Sequence, residues 1–169
     1  YGAAIPALTF LLLTGARIRE VLHLKWSYVD LERGLLFLPD SKTGKKAITL
    51  NSAAAAILAA LKIKAETKPF SEFVFYGADP EIPRSDLKKP WAAVTKATGI
   101  EGLRIHDLRH SFASVGAGAG LGLPIVGTLL GHTQASTTQR YAHLDADPLR
   151  RASDAIGVMI TAALNAQVN

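Results

Sequence analysis

With 169 residues, nineteen Lys and Arg against fourteen Asp and Glu, and a formal charge of +5, the chain is long enough for one domain with its own core, and basic enough to suit a phosphate-rich partner. It contains no cysteine, which excludes a disulfide framework, a thiolate nucleophile and a cysteine-ligated zinc site. No uninterrupted apolar run is long enough to cross a bilayer, because the opening Ala3 to Leu13 stretch is broken by Pro6 and stops at Thr14-Gly15.

In chain order, Ala3 to Leu13 reads as a buried helix and Thr14-Gly15 ends it, so that Arg17 starts a second helix reaching about Leu24. Leu35 to Leu38 and Ala47 to Leu50 are short apolar runs around the polar turn Asp40 to Lys45, a β-hairpin with a basic tip that carries Lys42. Asn51 or Ser52 caps an alanine-rich helix to about Ala65, and after the loop with Pro80 and Pro83 a helix runs from about Arg84 to Thr98. Helices follow near His106 to Ala117 and Pro124 to Leu130, then a short one around Thr137 to Tyr141 and a last one from Pro148 to about Leu164. The expected fold is mainly α with a small antiparallel β-sheet, one domain over residues 1–169. Opening on Tyr1 rather than methionine, the chain reads as a piece of a longer protein.

The chemistry concentrates in HDLRHSF, LLGH and TTQRYAHL, between His106 and Leu144. His106 and Arg109 are three apart on a helix and leave it from one face. Arg109 with Arg17 supplies fixed cations for the equatorial oxygens of a phosphodiester under attack, and the planar fork of arginine is suited to binding two such oxygens at once. Tyr141 lies in a polar segment, unlike a core tyrosine. Its phenol, of reference pKa about 10, needs a cationic surround or a base such as His106 before it attacks. His132 at a helix end can donate to the phosphate, and Lys42 is a candidate acid for the leaving oxygen, although Lys45 and Lys46 beside it allow a plain phosphate contact instead.

TGARIREVLHLKW, SKTGKKAITL, and HDLRHSFAS with LLGHTQASTTQRYAHL resemble, in order, the first arginine box, the hairpin lysine box and the second box of the tyrosine recombinases, the phage-integrase family. The resemblance covers Thr14 to Leu144, and no catalytic position departs from it. It implies a catalytic domain of the DNA breaking-rejoining fold, in which Arg17, Lys42, His106, Arg109 and His132 surround the phosphate and Tyr141 is the nucleophile. Glu20 would be a supporting acid, and His110 would pack behind the site. It further implies metal- and cofactor-free cleavage through a 3′-phosphotyrosyl intermediate, double-stranded DNA as partner, a homotetramer on DNA, accessory DNA-bending or directionality proteins, and an N-terminal DNA-binding domain ahead of this fragment. The stripe Leu149, Ala152, Ile156, Met159, Ile160 and Ala163 within 148–169 is expected either to pack on its own domain or, as the resemblance suggests, to dock on a neighbouring protomer. A cytoplasmic, nucleoid-associated location and no membrane partner follow from that function.

Three rival readings carry their own discriminators. A type IB topoisomerase would religate the same strand rather than join two duplexes. A silent DNA-binding module would give no covalent adduct. A histidine-metal phosphodiesterase would be inhibited by chelators, but His106, His110, His132 and His143 lack a metal-ligand spacing such as HExxH. Gly116, Gly118, Gly120 and Gly122 follow a helix instead of a strand, which argues for a relaxed helix end and a turn before Pro124 instead of a dinucleotide loop.

Overall fold

The computed structural model describes residues 2–39, 44–66, 71–131 and 146–166. Seven helices are described: α1 (Ala4–Thr14), α2 (Ile18–Leu22), α3 (Ser52–Glu66), α4 (Lys88–Thr98), α5 (Asp107–Gly118), α6 (Leu123–Leu129) and α7 (Ala146–Ala166). A three-stranded antiparallel sheet, β1 (Val29–Asp30), β2 (Leu35–Leu38) and β3 (Lys46–Thr49), lies between α2 and α3 in the chain. Among the described residues no helix is long and apolar enough to cross a membrane.

The core is built around α1, which is apolar on nearly every side. Ala4, Ala7, Leu8, Phe10, Leu11 and Leu13 are all buried, and α2, α3, α4, α5 and α7 pack against this helix. Pro6 sits in its first turn, where a backbone N–H has no partner within the helix. The helix stops at Gly15, whose φ of 61° is left-handed and whose N–H donates to the Leu11 carbonyl. A Cβ at Gly15 would stand 2.6 Å from Leu130 Cδ2 and 2.8 Å from Phe112 Cδ1, so the turn also needs glycine for the close approach of α5 and α6.

Several boundaries differ from the sequence reading for local reasons. The helix expected from Arg84 starts at Lys88, because the Asp86 carboxylate accepts the Lys88 N–H at 2.9 Å and holds a turn there. The hairpin gains a third strand, β1, whose two residues are too few to show alternation. Strand β3 begins at Lys46, one residue before the expected start, and Lys46 pairs with Leu38 across the hairpin. Asn51 is the cap of α3: its side-chain oxygen accepts the Ala54 N–H at 2.9 Å, and its amide donates to Leu13 O at 2.7 Å. In the glycine cluster, α5 runs on to Gly118, and Gly120 and Gly122 lie in the turn before Pro124.

Helix α7 lies on its own chain. Ala152, Ser153, Ile156 and Ile160 are buried against α3, α5, α1 and α6, whereas Met159 stays 46 % exposed and Ala163 also faces outward, so the expected stripe is divided. Polar contacts fasten this helix to the first half of the chain. Asp154 Oδ1 accepts from the Ser52 N–H at 2.8 Å and hydroxyl at 2.9 Å, Arg150 donates to the Arg33 carbonyl, and Ser153 to the Thr49 carbonyl.

Candidate active site

The start of α2 is organised by one carboxylate. Glu20 takes the Arg17 backbone N–H on Oε2 at 2.9 Å and the Arg17 guanidinium on Oε1 at 3.0 Å, a capping box that fixes the arginine at the helix entrance. Lys46, reaching in from β3, donates to both oxygens of the same carboxylate at 3.2 and 3.0 Å. The side chains of Lys46 and Glu20 are each only 6 % exposed, whereas that of Arg17 is 25 % exposed. Burial raises the Glu20 pKa, but the Arg17 N–H and the nearby Lys46 charge outweigh it, and the net shift is downward. Burial pushes the Lys46 ammonium below its ordinary value, assisted by Arg109 and Arg17 and opposed by Glu20.

Arg109 comes from the buried face of α5. Its guanidinium donates to the Gly15 carbonyl at 2.5 Å and to the Leu130 carbonyl at 2.8 Å, tying the turn before Arg17 to the end of α6. A guanidinium has five donors, so these two bonds leave others for an anion. Burial and the positive charge of Arg17 depress the Arg109 pKa, and Glu20 counters them.

His106 immediately precedes α5 and, with Arg17 and Glu20, lines a cavity of about 930 Å³. Arg19 and Lys25 continue its cationic wall, with His23 beside them, while Tyr28, Phe73 and Pro83 add apolar surface. Lys25 is held by Glu72 at 2.9 Å and lies 5.2 Å from the Phe73 ring centroid. His110 is exposed rather than packed behind the site, with its ring edge-on to that of His106 at 5.3 Å. Beside His106, three Arg104 hydrogen bonds, two from the guanidinium and one from the backbone N–H, hold the Asp107 carboxyl down to about 2. Trp91 donates to the Leu103 carbonyl at 2.9 Å and fastens α4 to the approach of α5.

Of the residues singled out from the sequence, Arg17, Glu20, His106, Arg109 and His110 are described, and the first four converge. Lys42, His132 and Tyr141 lie outside the described residues, as does the expected short helix around Thr137 to Tyr141. Among the described residues no three acidic or histidine side chains gather so as to hold a metal ion.

Sequence reasoning missed Lys46, Arg19, His23 and Lys25. For Lys46 the signal was present: Ile48 and Leu50 point inward, and period two places Lys46 on the same face. The other three follow Arg17 along α2 and just beyond it, a stretch whose placement in a cavity wall depends on the distant Phe73 and Pro83.

The chain as a whole has counterparts. The sequence profile of the phage integrase family matches residues 3–147. The tyrosine recombinase XerA of Thermococcus onnurineus is 34 % identical over 155 residues, covering 87 % of this chain and 54 % of that protein. The integrase of Salmonella phage P22 is 29 % identical, covering 80 % of this chain and 38 % of its own length. The chain therefore spans about half or less of the curated relatives it matches. The crystal structure of XerA recombinase superposes with a TM-score of 0.66 at 24 % identity, over 89 % of this chain and 57 % of that one. XerH recombinase bound to its difH substrate in a pre-cleavage complex superposes at 0.63 and 24 % identity, over 85 % and 45 % of the two chains. These likenesses establish the fold.

Proposed function

The chain belongs to the phage integrase family, and from that premise we propose that it is the catalytic domain of a site-specific DNA recombinase or integrase that cleaves and rejoins strands through a 3′-phosphotyrosyl intermediate. The observation that carries the reading is the charge arrangement around Glu20. Three cations, Arg17, Lys46 and Arg109, are gathered about one carboxylate beside a large cavity, so two positive charges are left without a described counter-ion. Such an excess at partly buried positions is costly without an anion, and a phosphodiester with charge building on its equatorial oxygens supplies one.

In this reading Arg17 and Arg109 hold the nonbridging oxygens, with His106 and His132 hydrogen-bonded to the same phosphate. The Tyr141 oxygen attacks phosphorus as its proton passes to His106, the bond to the 5′ oxygen breaks, and Lys42 protonates that oxygen as it leaves. A 5′ hydroxyl of the partner duplex then attacks the phosphotyrosine and releases Tyr141. Each phosphoester bond broken is replaced by another, so neither ATP, metal nor cofactor enters the sequence of steps.

The reading includes double-stranded DNA as substrate, a homotetramer on DNA, accessory DNA-bending or directionality proteins, an N-terminal DNA-binding domain ahead of this stretch, and action on DNA in the cytoplasm of a prokaryotic host. The C-terminal helix within 148–169 would be exchanged between protomers only if its contacts to its own core can be released on assembly.

Covalent trapping tests the proposal. The full-length protein incubated with a pool of nicked duplexes should form an adduct stable to denaturant, and Tyr141→Phe should bind DNA and form none. An adduct in Tyr141→Phe would assign the attack to another residue. Joining of two different duplexes, as opposed to relaxation of one supercoiled circle, separates a recombinase from a topoisomerase.

A further inference from the structure

Among the described polar residues, Lys46 is buried at the site without having a role in the reaction just outlined. Its ammonium gives two hydrogen bonds to Glu20. Its stem lies against Gly131, where a Cβ would stand 2.3 Å from Lys46 Cε and 2.9 Å from Cδ. Gly131 has a φ of 68° and leads directly into His132. One side chain from β3 thus meets both the carboxylate that fixes Arg17 and the backbone at Gly131, just past α6.

Resting on the recombinase reading, we propose that Lys46 is a positioning residue of that reaction: by neutralising Glu20 it leaves the Arg17 charge uncancelled for the phosphate while Glu20 holds that guanidinium in place.

Glu20 and Arg17 are three apart on one short helix and hydrogen-bonded twice, so Glu20 acting alone would cancel the Arg17 charge and hold the guanidinium to itself. With Lys46 on both oxygens, the carboxylate is already balanced, so the positive charges of Arg17, which lines the cavity, and of Arg109, which is coupled to it, remain in excess. Removing Lys46 reduces that excess to one. Removing both Lys46 and the charge on Glu20 restores it to two. A residue that merely props up the hairpin would show no such restoration.

The experiment is a charge cycle in the full-length protein, read as single-turnover adduct formation on a pool of nicked duplexes with randomised sequence at the nick, next to DNA affinity and thermal melting. Lys46→Met should cleave about 10- to 100-fold more slowly with DNA affinity within about 3-fold of the wild type. The double variant Lys46→Met with Glu20→Gln should recover to within about 5-fold of the wild type, because the two neutralisations offset each other.

The pH profile gives a second readout. Among the described residues the groups facing Glu20 are Arg17 on its own helix, Lys46 from β3, and Arg109 and His106 from α5. In Lys46→Met burial is less opposed, so the acid limb of cleavage due to Glu20 should move to higher pH. It should be absent from the double variant. If Lys46→Met does not fold, Lys46→Gln carries the same cycle, since it removes the charge and keeps a donor. A double variant no faster than the single one, with an unmoved acid limb, overturns the role of Lys46 while leaving the recombinase reading intact. A wild type that forms no adduct on any duplex of the pool overturns the recombinase reading and the proposal with it.

Discussion

Arg109 and Gly15, ninety-four positions apart, are joined by a hydrogen bond from the guanidinium to the carbonyl at 2.5 Å, so one arginine holds in place the turn that precedes the other. Lysine cannot reproduce this, because its single ammonium lacks the fork that spans Gly15 and Leu130 while leaving donors for a phosphate. Arg109→Lys should lose about 100-fold or more in cleavage. It should also lose about 1–3 kcal/mol of stability, since two buried carbonyls go unpaired. Urea unfolding beside adduct formation checks both, and a variant that lost activity at full stability would reduce Arg109 to a phosphate ligand alone.

Gly15→Ala tests the turn from the other side. The left-handed φ and the 2.6 Å and 2.8 Å approaches of Leu130 and Phe112 leave no room for a methyl group. A loss of about 2–4 kcal/mol is expected, from backbone strain and overpacking together. Equilibrium unfolding in urea measures it, and a near-neutral result would mean that α5 and α6 yield more easily than their packing implies.

The depressed Glu20 carboxyl fixes an acid dependence. Its pKa in the folded protein lies below the ordinary 4.5 that applies on unfolding, so the stability it contributes is fully present above that value and is lost as pH falls through the folded pKa. Unfolding midpoints measured from neutral to strongly acidic pH should fall more steeply for the wild type than for Glu20→Gln in that window. Equal slopes would show that the ion pairs to Arg17 and Lys46 add nothing net.

Lys42, as the proposed acid, should become dispensable when the leaving 5′ oxygen is replaced by sulfur, because a thiolate departs without a proton. Arg17→Ala and Arg109→Ala should remain defective on the same substrate. A Lys42→Ala defect unchanged by sulfur would place Lys42 among the phosphate contacts.

Helix α7 gives the fifth expectation. Ile156 is fully buried within its own chain, so Ile156→Ala should cost about 2–5 kcal/mol, and removal of residues after Asp147 should abolish cooperative melting. A truncated chain that kept its melting transition and lost only assembly on DNA would return this helix to a neighbouring protomer.

The arginine boxes were legible in the sequence because their chemistry is local: Arg17 follows a Thr-Gly helix stop, and His106 and Arg109 repeat at helical spacing. What Arg109 binds was not legible, since both acceptors are carbonyls brought close only by the folded chain. Lys46 escaped notice because it stands beside Lys45 in a run that reads as a solvated tip, and only the inward phase of Ile48 distinguishes the two. The amphipathic period of α7 was visible, but a period shows that a face must be covered and says nothing of which body covers it.

The clasp of Asp154 on Ser52, with Arg150 on Arg33, also has a meaning in amide exchange. Opening α7 strips the first turn of α3 of an acceptor for the Ser52 N–H, and with it the support beneath β3 and the hairpin. These segments, more than one hundred positions apart, therefore form one protected block whose deuterium uptake rises together, set by a single opening equilibrium rather than by the fraying of separate helices.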